Sequence, residues 1–202
     1  MPSLYDLKPR FQNALRPLVC ALADGGVSAN QVTLAAVALS CATGSVLAWF
    51  PDNHRLFLLL PPVLLLRMAL NAIDGMLARE HDMITPLGAV LNELGDAVSD
   101  VALYLPFAWV PGISPVPVVL LVIFALLTEL SGVVAVQIGA RRRYDGPFGK
   151  SDRALLLGAL ALLLGLGVAP GAWSNTVLLG ACALAVLTVF NRVRMALRQV
   201  AS

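Results

Sequence analysis

Residues 71–100 read NAIDGMLAREHDMITPLGAVLNELGDAVSD, and this stretch decides how the chain folds. It places Asp74, Glu93, Asp96 and Asp100, with Asn71 and Asn92, inside segments otherwise apolar enough to be buried in a membrane. An ionised carboxylate at the centre of a bilayer costs about 2.5–3.5 kcal/mol even on lenient insertion scales. Several of them in one stretch need a common purpose, such as a bound cation or a polar cavity. The run therefore reads as a site.

The surroundings support a membrane setting. Of 202 residues, 58% are apolar and only 13% charged, with a mean hydropathy of +0.82. A soluble domain has about 45–50% apolar and about 25% charged residues. At about 20 apolar residues per crossing, the chain has room for about six spans. The expected fold is all-α, a single integral membrane domain over residues 1–202. No cleaved leader is expected, because Asp6, Lys8, Arg10, Arg16 and Asp24 interrupt the first 28 residues. Cys20, Cys41 and Cys182 are odd in number and lack metal spacing, which makes them packing residues rather than a disulfide framework. A formal charge of +2 does not suit a nucleic-acid partner.

Along the chain, Leu4, Leu7, Phe11, Leu15 and Leu18 recur at helical spacing between Lys8, Arg10 and Arg16, the pattern of an interfacial amphipathic helix. A turn at Asp24-Gly25-Gly26 follows, and Ser28 or Asn30 can cap the next helix. Spans are expected over 30–50, 56–79, 86–109, 116–140, 153–169 and 172–191, with a basic tail over 192–202. Pro51, Pro111-Gly112 and Pro170-Gly171 mark short turns. In this layout 12 of the 14 basic residues fall on one side, Arg55 falls on the other and Arg67 lies inside the second span. The positive-inside rule then makes both termini cytoplasmic. The 71–100 run occupies the cytoplasmic ends of spans two and three. Trp49, Trp109 and Trp173 sit at span ends on the far side as interfacial anchors. Glu129, in span four, is expected to pair with Arg67.

Asn71, Asp74 and Ala78 share one helix face, and Asn92, Asp96 and Asp100 follow at four-residue steps that drift only about 80° in total. Two antiparallel helices joined by a short loop can turn these faces together. Their oxygen ligands would then converge as a hard divalent cation such as Mg²⁺ or Mn²⁺ requires. Gly75 and Ala78 allow close approach on that face. Arg79, at its mouth, can grip a phosphate with two parallel hydrogen bonds. Lys150 and Arg153, with the run Arg141–Arg143, form a candidate basic rim for an anionic acceptor or a lipid phosphate.

The pattern Asp74-Gly75-x2-Ala78-Arg79-x8-Gly88-x3-Asn92-x3-Asp96 resembles the signature of the CDP-alcohol phosphotransferase family, Asp-x2-Asp-Gly-x2-Ala-Arg-x8-Gly-x3-Asp-x3-Asp. Six of its eight fixed positions match with spacing intact; Asn71 and Asn92 stand at the first and third aspartates. Val27-Ser-Ala-Asn30-Gln-Val-Thr33 and Gly149-Lys150-Ser-Asp-Arg153 are similar to further segments of that family. The resemblance implies transfer of a phosphatidyl group from a CDP-linked lipid such as CDP-diacylglycerol to an acceptor alcohol, releasing CMP, in phospholipid biosynthesis. It implies an enzyme of the inner membrane with one or two Mg²⁺ or Mn²⁺ ions, in contact with membrane lipids, and a homodimer. Carried over by position, Asn71, Asp74, Asn92 and Asp96, with Asp100, would be the metal ligands. Asn30, Gly75, Ala78, Arg79 and Gly88 would line the CDP pocket, and Asp96 would be the general base. With half the expected carboxylates, the site is expected to hold one ion firmly and a second only with the donor. Two rivals stay open on the sequence: a catalytically degenerate CDP-lipid-binding membrane protein, and a cation- or proton-coupled transporter.

Overall fold

The computed structural model describes residues 4–201, with the side chains of residues 11–201. Met1–Ser3 and Ser202, at the two ends of the expected single domain, lie outside the described residues. So do the side chains of Leu4, Leu7, Lys8 and Arg10, on which half of the amphipathic pattern rests.

All regular structure among the described residues is helical. In order, α1 (Leu4–Asp24), α2 (Ala29–Trp49), a 3₁₀ turn (His54–Leu59), α3 (Leu60–Glu80), α4 (Pro86–Tyr104), a second 3₁₀ turn (Leu105–Trp109), α5 (Pro115–Gln137), α6 (Lys150–Gly165) and α7 (Ala172–Ala201) follow one another. The ends are set by local chemistry. Ser28 and Gln31 form a reciprocal capping box at the start of α2: the Gln31 N–H donates to Ser28 Oγ at 3.3 Å and the Ser28 N–H to Gln31 Oε1 at 2.9 Å. Thr85 caps α4 by accepting the Gly88 N–H at 2.9 Å, with Pro86 as the first helical residue. At the end of α3 the backbone turns left-handed at Asp82 (φ 55), and the Met83 N–H closes back on the Ala78 carbonyl at 3.1 Å. Aspartate is one of the few side chains that tolerates this conformation.

Among the described residues, four segments are long and apolar enough to cross a bilayer: Ala29–Trp49, His54–Glu80, Pro115–Gln137 and Ala172–Ala201. Two of the six expected spans fall outside that set for physical reasons. α4 carries Glu93, Asp96 and Asp100 in its 19 residues. α6 has 16 residues, about 24 Å at 1.5 Å per residue, against a hydrocarbon core of about 30 Å.

The chain forms two compact units. The first comprises the described residues up to Ala42 together with Pro62–Ser99. Its core joins α1, α2 and α3 through Val19, Ala29, Val32, Ile73, Met76 and Leu77. α4 lies so close to α2 that a Cβ on Gly95 would stand 2.8 Å from Val37 Cγ2. The second unit comprises Thr43–Pro61 and Asp100–Ser202. In it α5 packs along α7, and Phe57 meets Phe107 in a tilted pair with centroids 5.0 Å apart. Trp49, Trp109 and Trp173 are exposed at helix ends. The three cysteines are free thiols, Cys20 exposed on α1 and Cys182 buried in α7.

The tightest backbone approach in the second unit is at Gly44, where a Cβ would fall 2.0 Å from the Ala102 carbonyl oxygen. Only a glycine fits that crossing of α2 and α4, since backbone cannot yield as a side chain can. Gly44→Ala is expected to destabilise the protein by about 1–3 kcal/mol or more, read as a lowered Tm in detergent micelles; an unchanged Tm would contradict the close crossing.

Candidate functional site

In the first unit, α2, α3, the loop after α3 and α4 enclose a cavity of about 380 Å³. That size falls in the range of small-molecule sites, about 300–1,000 Å³. Eight residues singled out by the sequence line it: Asn30, Asn71, Asp74, Gly75, Ala78, Arg79, Gly88 and Asn92. Ala29, Thr33, Met83, Ile84, Thr85 and Ala89 complete the wall.

Each of these positions has a local reason. Asp74 is only 6% exposed, and a buried carboxylate needs donors. Thr33 supplies one: its hydroxyl lies 2.8 Å from Asp74 Oδ2 and 3.1 Å from the Ala29 carbonyl. A hydroxyl has one proton, and the nearer, charged acceptor draws it. Gly75 leaves room for Arg79, whose Nη1 and Nη2 lie 3.2 Å from where a Gly75 Cβ would stand. The guanidinium thus folds back one turn along α3 to lie over the cavity wall while its residue stays exposed. Gly88 makes the equivalent opening on α4, since a Cβ there would press to 2.8 Å from Asn30 Oδ1.

Asp96 is held from α3 by two residues. Asn71 Nδ2 donates to Asp96 Oδ1 at 3.1 Å, and Arg67 Nη2 donates to the same oxygen at 3.3 Å and to the Asp96 carbonyl at 3.1 Å. Because a carboxylate only accepts, the Asn71 amide must present its nitrogen here. The Arg67 side chain is 4% exposed and that of Asp96 26%, which leaves the carboxylate reachable. The expected pairing of Arg67 with Glu129 is therefore corrected: Arg67 is drawn to Asp96 across the α3–α4 contact, and Glu129 is satisfied within the second unit.

That second unit holds Asp100 and the basic candidates. Arg153 is fully buried, with Nη2 at 3.2 Å from Asp100 Oδ2 and 2.9 Å from Glu129 Oε1, and Nη1 at 2.8 Å from Thr128 Oγ1. Thr128 passes its own proton to the Ala125 carbonyl at 2.7 Å, so it accepts from Arg153. Glu129 also faces Arg192 at 3.6 Å and Arg142 at 3.9 Å, while Arg192 donates to the Thr128 carbonyl. Lys150 opens α6 and is partly buried; Arg141 is exposed in the loop before it. Glu93 is half-buried on α4.

Among the described residues, no three His, Cys, Asp or Glu side chains gather as a metal cluster. The side-chain oxygens that line the cavity come from one buried carboxylate, Asp74, the amides of Asn30, Asn71 and Asn92, and the hydroxyls of Thr33 and Thr85. Such a set fits a hard divalent ion that completes its shell with water and ligand phosphate oxygens, the usual manner of Mg²⁺. Thr33, Arg67 and Thr85 were not among the candidates. Thr33 stood in the segment that resembles the family, and Arg67 lies four residues before Asn71, one turn along the same face.

The chain matches the CDP-alcohol phosphatidyltransferase family over residues 27–193 and belongs to that family. It is 48% identical over 195 residues to the inner membrane protein YnbA of Escherichia coli (strain K12), covering 96% of each chain. Its fold is similar to that of phosphatidylinositol phosphate synthase (PgsA1) of Mycobacterium tuberculosis. The structure of that enzyme with manganese and citrate gives a TM-score of 0.75 at 19% identity, covering 90% of this chain and 88% of that one. The structure with CDP-DAG bound gives 0.70 at 22%, covering 91% and 92%.

The buried ion cluster makes a sharp prediction. Arg153→Met removes a buried guanidinium that both Asp100 and Glu129 face, and breaking a buried pair by removing one partner costs about 3–5 kcal/mol. The Tm of this variant in micelles should fall well below that of Arg141→Met, which removes an exposed charge; equal melting would refute the cluster.

Proposed function

We propose that this chain transfers a phosphatidyl group from a CDP-linked lipid, such as CDP-diacylglycerol, to an acceptor alcohol and releases CMP. The observation that carries this reading is the cavity, where family-motif residues of α3 and α4 converge with Asn30 of α2 and Arg79 lies over Gly75. A transporter reading gives no use to a guanidinium folded over a glycine beside a nucleotide-sized space.

The chemistry follows from the residues. The acceptor oxygen attacks the lipid-bearing phosphorus; the new O–P bond forms as the P–O bond to CMP breaks, and the acceptor proton passes to Asp96. Arg67 and Asn71 fix that carboxylate through its Oδ1, and a positioned base contributes about 10²–10⁴-fold. Arg79 grips a donor phosphate with its planar fork. Asn30 and Gly88 shape the opposite wall for close approach of the nucleotide. Asp74, with Asn71 and Asn92, would hold a Mg²⁺ or Mn²⁺ ion, which when bound neutralises the pyrophosphate and stabilises the leaving phosphate. Asp100 is engaged by Arg153, so its contribution is to anchor α4 rather than to donate to an ion. Arg141 and Lys150 remain the proposed contacts for an acceptor or a lipid phosphate.

The same reading places α2–α7 as six spans of the inner membrane, α4 and α6 included, with both termini and the cavity on the cytoplasmic side. The asymmetry of arginine and lysine and the named location of the 48%-identical relative support it.

Purified protein with CDP-diacylglycerol, Mn²⁺ and a panel of alcohols (glycerol 3-phosphate, inositol phosphate, serine) should release CMP with at least one acceptor. Asp96→Asn should lower kcat about 100-fold or more with little change in donor KM. Donor binding without CMP release for any acceptor would leave a binding protein and end the enzyme reading.

A further inference from the structure

We infer that Arg67 is a resident cation standing in for one divalent ion, so that the site takes a single metal ion per chain. The inference rests on the donor-site reading above and concerns how this chain's own residues balance charge.

Asn71 is the pivot. It lines the cavity on one side and hydrogen-bonds Asp96 on the other, with Nδ2 3.1 Å from Oδ1. An aspartate at position 71 would put two carboxylate oxygens at that separation, and two anions so close demand a cation between them. The amide removes the demand by donating a proton instead. Arg67 then supplies the positive charge. Its side chain is almost fully buried, and it grips Asp96 through both the carboxylate and the main-chain carbonyl. A guanidinium stays charged in any setting, so this cation is always present.

The charges close on one ion. Four aspartates would offset two divalent ions. Here Asp74 and Asp96 bring two negative charges, and Arg67 returns one positive. One carboxylate, Asp74, remains for metal, with only neutral amides and hydroxyls beside it in the cavity. An ion bound by so few protein charges draws on phosphate oxygens, so it is expected to bind more tightly with nucleotide present.

The test is a count of ions. Full-length protein in detergent micelles is titrated with Mn²⁺ and the free ion followed by electron paramagnetic resonance, with saturating CDP, while CDP binding is measured separately by calorimetry. The expected result is one Mn²⁺ per chain. Two per chain overturns the inference, and so does none while CDP still binds. Failure to bind CDP at all sinks the donor-site reading instead, so the two failures are distinguishable. The triple variant Arg67→Leu, Asn71→Asp, Asn92→Asp, checked for a monodisperse elution peak, should take two Mn²⁺. Arg67→Lys should keep one. A properly folded triple variant that still binds one would also overturn the assignment.

Discussion

The grip of Arg67 and Asn71 on Asp96 fixes a carboxylate that stays reachable on an apolar helix. A guanidinium and an amide on one face of α3, one turn apart, hold its Oδ1 in place. The rest of the site follows from the same contact. Once α3 presents Arg67 and Asn71 to α4, Asp74 turns toward Thr33 of α2, and Gly75 and Ala78 face the cavity. Arg79 is then left at the end of the helix to lie over it.

The second unit solves the same problem of charge among apolar helices, with a different outcome. Glu129 faces three arginines, and Arg153 bridges it to Asp100. As with Arg67, the arginine is the most buried member, but here two carboxylates and a hydroxyl are gathered around it. A buried network of this kind is weak evidence for stability but strongly resists removal of one member. Its role is to hold α4, α5 and α6 in register, which suits a scaffold rather than a surface for ligands.

Much of this was legible in the chain itself. The motif spacing marked seven of the cavity's lining residues, because a helix converts offsets of three and four into one face. Six helices follow α1 close to where runs of apolar residues and their Pro/Gly breaks placed them, but α7 continues as helix to Ala201, through the stretch expected as a basic tail. Partner choice was not legible. Arg67 and Glu129 were natural mates by charge and by their place within spans, yet pairing depends on which faces meet, and periodicity does not encode that. Asp100 continued the four-residue series of Asn92 and Asp96, but the series drifts around the helix, and by Asp100 the side chain belongs to Arg153. Thr33 was hidden for a simpler reason: a lone threonine in an apolar helix has no signal until the carboxylate opposite it is known.

The central claim is that the α2–α3–α4 cavity is the seat of the cytidine nucleotide. Calorimetric titration of CDP into the purified protein, compared with Arg79→Ala, addresses it most directly. The account predicts measurable binding to the parent chain and a loss of about tenfold or more in the variant, since a charged hydrogen bond contributes about 1.5–3 kcal/mol. Equal affinity in the two proteins would contradict it.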